Sequence, residues 1–564
     1  MLPAAQDSKS RAQKIIATQR SMESEAFNFM ARWQEAANYI QPRKGNILTE
    51  LTPGSPQTVL LWDTTAEQAL MVYAAGIVSF LTPTSERWFR FEPRDKDASA
   101  DFKEWLDDCS EKMAQEIAAS EFYGIWHEDC LDGGAFGSSL LRIDEHPLDD
   151  ESVLGFVNIP VGTFWWSEDS RGRVSKITRK WKWTAGQAAE EFGEENLSPQ
   201  LLRAYSSTTP ETASRQFHFV EYVGPRNKAD VTEGPTTPER RPIECVYVCV
   251  EDQAVLREDG YYSNPYAGCR VMRSNNEPYG RGPGTQAMPN IKMVNRMKED
   301  IWVITERMAR PSWISPDDTA YDPDNRPDGV TFWDASKGEH YKPEQVQMRN
   351  DVRHAQELLQ EERKVIQDYF YNDMFKLLTS QEEMAREKTA YEVSQMVAER
   401  MILFSPIFGR ITQEKLNPML KRIFDIMYRN NRFKPLPVGI NPNLQFDVAY
   451  VSKIALAIKA IQNQALATAV QLIQTMVAID PMLVNLLKCE DAARQVLSNA
   501  GVPTAWIRTK SEYANLSQKQ QEEQSRLQAA QAAQAGSQTI KNLGPSAQAQ
   551  AGQGMASAMQ KKGP

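Results

Sequence analysis

Cys245 and Cys249 stand four residues apart in IECVYVCVED, whose apolar run reads as a strand, so both thiols fall on one face. A zinc site would need a second pair or a histidine cluster, and the sequence supplies neither. Two small buried apolar groups are the better reading. Asp317, Asp318, Asp322, Asp324 and Asp328 crowd one loop. A calcium loop needs acids at fixed offsets, a glycine at six and a glutamate at twelve. Counted from Asp322 the twelfth residue is Trp333, and counted from Asp317 no glycine stands at six, so a solvated turn cluster fits better. Gly280-Arg281-Gly282-Pro283-Gly284 is glycine-rich but has the wrong spacing for a phosphate loop, and Pro283 removes an N–H where a phosphate cradle wants one. A structural turn before a helix is expected there. The histidines, His127, His146, His218, His340 and His354, form no metal-binding pair on a helix. His127 lies near Glu128, Asp129 and Cys130, but neighbours in sequence do not make a triad. The expectation is a protein without catalytic residues, bound metal or cofactor.

Composition narrows the classes further. The chain has 564 residues, 41% hydrophobic and 9% aromatic, enough for several packed units. Its net charge is −10, from 74 acidic and 64 basic residues. A tight nucleic-acid binder carries basic surface that neutralises phosphates. The acidic balance argues against one, but not against a protein that DNA passes without sticking. Cys109, Cys130, Cys245, Cys249, Cys269 and Cys489 are too scattered for a disulfide framework, which predicts folding in a reducing compartment. No signal peptide is visible in MLPAAQDSKSRAQ. The best apolar run, LMVYAAGIVSFL at 70–81, is too short to cross a membrane. A soluble protein made in a cytoplasm is expected.

The elements follow from periodicity. Ile15, Ile16, Met22, Phe29, Met30, Trp33 and Ile40 predict one helix over 8–40, ended by Gln41-Pro42. A second is predicted over 63–81, capped by Asp63 or Thr64, and a third over 101–130 with Phe102, Trp105, Leu106, Met113 and Ile117 buried. Beyond 135, SSLLRIDE, VLGFVNIP, GTFWWSED, RVSKITRKWKW, RQFHFVEYVGP and IECVYVCVED read as strands around a helical TAGQAAEEFG. The first half is thus α+β without a repeating βαβ order, and the whole chain is α+β, mostly helical.

The second half reads differently. Met288, Ile291, Val294, Met297, Ile301, Ile304 and Met308 advance by three or four and predict a helix over 285–310, stopped by Pro311. An irregular module follows, with strand candidates at SWIS and VTFW. Val352, Ala355, Leu358 or Leu359, Glu362, Ile366 and Tyr369 predict a second long helix from about 344 to 371, roughly 40 Å in length. Two such helices around a short module describe a stalk with a tip. One narrow stripe per helix suits packing in a bundle or ring. Helix is expected again over 389–430, interrupted at Pro406 and Pro418, and over 447–500. From about 516 the chain is low in complexity, a tail expected to be disordered or weakly helical.

Four groups of residues, in order, resemble the portal (head-to-tail connector) family of short-tailed, podovirus-type bacteriophages. They are Asp63-Thr64-Thr65 through Ala75-Gly76-Ile77, Leu81-Thr82-Pro83 and Arg87-Trp88-Phe89; then Ala135-Phe136-Gly137-Ser138; then Glu277-Pro278-Tyr279-Gly280-Arg281-Gly282-Pro283 with Ala287-Met288-Pro289, Ile291-Lys292 and Asn295; and last Thr389-Ala390-Tyr391-Glu392-Val393 with Glu399-Arg400, Pro406, Arg410 and Leu416-Asn417-Pro418. The clip and everything beyond about 435 carry no matching motif.

The resemblance implies a subunit with a wing, a two-helix stem, a clip and a helical crown, assembled into a ring. Mapped onto this chain, the wing takes 1–284 and 389–446, the stem 285–310 and 343–371, the clip 311–342, a tunnel loop 372–388, the crown 447–515 and a tail 516–564. It implies a dodecameric homo-oligomer at the portal vertex of the virion capsid, assembled in the host cytoplasm. Double-stranded DNA would pass through its axial channel during packaging and ejection. Terminase, then a tail adaptor, would dock on it, with capsid and scaffold proteins as further partners and no membrane. Phe375, Lys376, Leu377 and Leu378 are candidates for the channel constriction, against ordinary helix-end packing. Trp313 and Trp333 are candidates for adaptor or intersubunit contacts, against a core of the clip itself. The rival readings are another structural virion protein, from the tail or the scaffold, and an unrecognised enzyme.

Overall fold

The computed structural model describes most of residues 5–314, with gaps near 57–60, 95–98, 146–151 and 228–236, then 352–379, 404–436 and 446–451, and isolated positions elsewhere. The expected helix over 8–40 is two helices, α1 (Ala5–Glu25) and α2 (Phe27–Ile40), meeting at Ala26. They break because their apolar stripes face different partners. Ala12, Ile15 and Ile16 of α1 form a small core of their own with Val220, Val246, Val248 and Val255. Met30, Trp33, Ala37 and Ile40 of α2 join the main core. Arg11 fastens α1 to the sheet through Glu244 (2.9 Å) and Glu258 (2.7 Å).

α3 (Thr65–Leu81) forms where expected and buries its small apolar face, including Ala69, Tyr73, Gly76 and Ile77. β1 (Phe89–Pro93) follows. The third expected helix is again two, α4 (Ala100–Ala119) and α5 (Phe122–Phe136), turning at Ser120, whose hydroxyl bonds back to the Ile117 carbonyl.

The strands between 138 and 270 make two antiparallel sheets. β2 (Ser138–Glu145) is the centre of one, between β3 (Leu154–Ile159) and β9 (Tyr266–Arg270). The other is a five-stranded meander of β4 (Phe164–Glu168), β5 (Val174–Thr184), β6 (Gln216–Pro225), β7 (Ile243–Cys249) and β8 (Ala254–Tyr261). α6 (Ala185–Phe192) starts on a capping box between Thr184 and Gln187, and short α7 (Pro199–Tyr205) and α8 (Pro210–Ala213) lead into β6. The core is aromatic: Trp33, Trp88, Trp126 and Trp165 are all fully buried. Burial of each such ring contributes on the order of 2–3 kcal/mol.

β10 (Met272–Arg273) and β11 (Gly280–Arg281) form a short ribbon that delivers the chain to α9 (Pro283–Ala309). After it, β12 (Trp313–Ile314) pairs antiparallel with β13 (Glu344–Gln345). The return helix α10 (Val352–Tyr369) starts later than the expected 344, because 344–345 are drawn into that strand pair. α11 (Asn372–Thr379) follows at once. A helix from 404 widens into a π-turn at Thr412–Leu416 and continues as α12 (Asn417–Arg429). Where helix was expected from 447, Phe446–Tyr450 instead form a strand, β14, paired in register with Phe89–Pro93. A partner this far back in sequence is invisible to local periodicity. Most of the segments expected as crown, tail and clip, and the motif at 389–400, lie outside the described residues; within the expected tail, 516–520 and 522–527 are helical and largely exposed. The mixed helix and strand of the rest agree with an α+β subunit.

Candidate functional site: the root of the two-helix arm

α9 and α10 form an antiparallel arm. Met288, Ile291 and Val294 are buried at its inner end, with Leu359 and Ile366 opposite. Asn290 donates to Glu362 across the pair at 2.8 Å. Farther out the stripe runs into solvent, and Trp302 and Met308 are more than half or about half exposed.

The glycine-rich turn explains how the arm leaves the body. A Cβ on Gly282 would lie 2.7 Å from the carbonyl oxygens of both Gly133 and Gly134, and one on Gly284 would lie 2.9 Å from that of Ala135. Gly137 has a positive φ of 80° and abuts the Arg281–Gly282 backbone. Two of the motif groups, at 135–138 and 277–283, are therefore the two halves of one close-packed joint. Tyr279 seals it. Its hydroxyl accepts from the Trp166 N–H at 3.2 Å, its ring meets Trp33 edge-on at 5.0 Å, and the Trp33 indole donates to the Phe136 carbonyl. Gly280 N donates to Ser138 Oγ at 2.9 Å. The glycines thus serve backbone approach, not phosphate binding.

A second joint ties the arm to α3. Asn295 Oδ1 accepts from the backbone N–H groups of Trp62 (2.7 Å) and Asp63 (3.2 Å). Asp63 accepts from Thr65 N at 3.0 Å and from the Arg363 guanidinium. Burial would raise the Asp63 pKa, but its bonds to Thr65 and Arg363 outweigh this and hold it below the usual carboxylate value. Beyond α10 the chain turns at Tyr371, with φ of 57°, and seats Phe375 in the core. The Phe375 ring lies against Gly76, Tyr73, Phe80 and Phe404. A Cβ on Gly76 would come within 2.7 Å of that ring. Of the four constriction candidates, Phe375 is thus packed inside the subunit. Lys376, Leu377 and Leu378 share α11, and their side chains lie outside the described residues. Trp313 sits in β12 opposite Gln345, with its side chain outside the described residues, as is all of Trp333.

The π-turn brings together charges that sequence reasoning missed. Lys415 is almost completely buried, paired with Asp129 and 2.7 Å from Ser139 Oγ. Glu414 holds Arg270, which also pairs with Glu168. Arg422 of α12 donates to the carbonyls of Ile143 (2.9 Å) and Ser263 (2.7 Å). Ser139, Lys415 and Asp129 have the residue types of a nucleophile, base and orienting acid. All three are 2% exposed or less, so no substrate reaches them. The one available sequence signal was a charged pair, Glu414-Lys415, in an apolar helix just before Pro418.

Cys245 and Cys249 are buried on β7, near Glu221 and Glu251 respectively. Among the described residues no cluster of three or more His, Cys, Asp or Glu side chains could hold a metal ion. No helix among them is long and apolar enough to cross a membrane.

Residues 12–507 match the family described as bacteriophage head to tail connecting protein. The chain belongs to that family. This connector is also similar to the portal protein of Salmonella phage epsilon15, 23% identical over 547 residues and 96% of each chain. It is similar to the probable portal protein of Bordetella phage BPP-1, 23% identical over 531 residues and 93% of each chain. The family resemblance read from the four motif groups is therefore confirmed. A head-to-tail connector is a structural part of a phage, and the joints described above are the framework of one.

Proposed function

We propose that the connector is the portal vertex subunit of a tailed phage, forming a dodecameric ring around an axial channel. Double-stranded DNA enters through the channel during packaging and leaves by it at ejection. Terminase docks on the ring first and the tail adaptor afterwards. The observation that carries this reading is the arm: two helices leave a packed body, and the chain between them returns on itself at the Trp313–Gln345 and Ile314–Glu344 pairs. An excursion closed at its base in this way suits a clip at the tip of a stem. In this reading 285–310 and 343–371 are stem, 311–342 is clip, 372–388 is the tunnel loop, the body is wing, and the crown follows the β14 strand. Phe375 anchors the loop, and Lys376, Leu377 and Leu378 are the candidates to narrow the channel.

The acidic chain favours a lumen along which DNA slides, since a basic one would bind phosphates. The test is twofold. Purified protein should have the mass of a large ring, and at physiological salt the ring should bind duplex DNA weakly. A small oligomer overturns the ring, and tight DNA binding overturns the sliding channel.

A further inference from the structure

We propose that the π-turn Thr412–Leu416 is a hinge that couples the buried ion pairs of the body to the start of the proposed tunnel loop. What the loop does for DNA rests on the portal reading above; the coupling itself is a property of the folded chain.

A π-turn is rare and needs a cause. Here Pro418 has no N–H to give the Glu414 carbonyl, and its ring would crowd that carbonyl in an α-turn. The wider turn removes the conflict. Both sides of the turn pack into the main core, and charge holds the turn between them. On the far side α12 is bolted down, burying Met419, Leu420, Ile423 and Phe424, with Arg422 on two body carbonyls. The turn itself is held by charge, through Lys415 on Asp129 and Ser139 and through Glu414 on Arg270. The near side, 404–411, buries Phe404, Ile407 and Ile411, and the Phe404 ring meets Tyr371 at 5.5 Å and Phe375 at 5.8 Å.

The geometry gives this arrangement a consequence. A π-turn holds one residue more than an α-turn, so closing it rotates 404–411 by about 100° against α12. That rotation would take Phe404 off Tyr371 and Phe375, the residues that seat the start of the loop. Pro418 and the ion pairs to Asp129 and Arg270 together hold the open register. A shift of α5 or β9 that loosens them reaches the start of α11 through the two Phe404 ring contacts.

Hydrogen–deuterium exchange on the full-length chain tests this, read in peptides spanning 371–379, 404–411 and 417–429. Asp129→Asn combined with Lys415→Met removes the pair without leaving a lone buried charge. Pro418→Ala, at an exposed position, restores the missing donor. Both changes should alter exchange in 371–379 and 404–411 by about threefold or more while 417–429 stays unchanged. An effect confined to 412–416, or one spread equally into 417–429, overturns the hinge. Should the double variant fail to fold, Pro418→Ala decides alone. A wild-type chain that forms no ring would defeat the portal reading, yet the exchange pattern still judges the hinge. Rings without coupling would defeat the hinge alone.

Discussion

Gly282 sits so close to Gly137 that a Cβ on Gly282 would lie 2.9 Å from the Gly137 Cα, closer than real Cβ atoms come. The two residues belong to separate sequence motifs, and the arm leaves the body at the point where they touch. The identity of both as glycine is therefore a demand of the joint.

Substitution should show it. Gly137→Ala meets both a left-handed backbone, costing about 1–2 kcal/mol, and immovable backbone atoms. The total should exceed about 3 kcal/mol and leave little soluble protein. Gly54 has a similar φ of 84° but open space around it, so Gly54→Ala should cost only the backbone strain, about 1 kcal/mol. Thermal melts of the two variants separate clash from strain, and equal melts would contradict the joint.

The Asp63–Arg363 pair gives the arm root a pH dependence of known sign. The folded carboxyl has a lowered pKa, so the folded state holds its proton less tightly than the unfolded state. Its stabilisation is present above the unfolded value, about 3.9, and is lost as pH falls through the folded one. The melting difference between wild type and Asp63→Asn should be largest near neutrality, about 1–3 kcal/mol. It should close as the solution is acidified below about pH 4. A difference that grows on acidification would reverse the assignment.

Phe375 fills a site between Gly76, Tyr73 and Phe404, so Phe375→Ala should destabilise by roughly 3–5 kcal/mol in chemical denaturation. Lys376→Ala should leave stability within about 0.5 kcal/mol and be read instead in genome packaging or retention. Loss of stability in Lys376→Ala would place that residue in the core too.

The five described cysteines should resist alkylation in the native protein. Burial pushes Cys249 up to about 11 and Cys109 and Cys269 up to about 12, and it pushes Cys130 and Cys245 well up too, so thiolate is scarce at pH 8. Mass spectrometry should find at most Cys489 modified before unfolding. Several modified thiols in folded protein would contradict the burial.

Trp313 and Trp333 together test the tip. Changing both to alanine should leave assembly intact and weaken adaptor binding more than about tenfold, as loss of an interface anchor does. Loss of assembly, or unchanged adaptor binding, would assign them to the clip's own core or to intersubunit contact.

Much of this was legible in the chain, for identifiable reasons. The stripe at Met288, Ile291 and Val294 was readable because a helix buries one side at fixed spacing. The glycine turn at 280–284 was readable as structural from Pro283, but its purpose was not, because its partner at 133–137 is distant in sequence. The breaks at Ala26 and Ser120 were hidden because apolar spacing runs through both. The strand at Phe446–Tyr450 and the late start of α10 depend on pairing with β1 and β12, and helical periodicity carries no trace of it. Lys415 was missed because nothing beside it in sequence shows that its partner is Asp129 on another helix.

A portal subunit must assemble into a ring with a hole. Negative-stain images of the purified full-length protein test it most directly. Closed rings with a central channel and about twelvefold symmetry are expected, the wing outermost and the arms gathered at one end. Compact particles without a channel, at any concentration where the protein is folded, would contradict it.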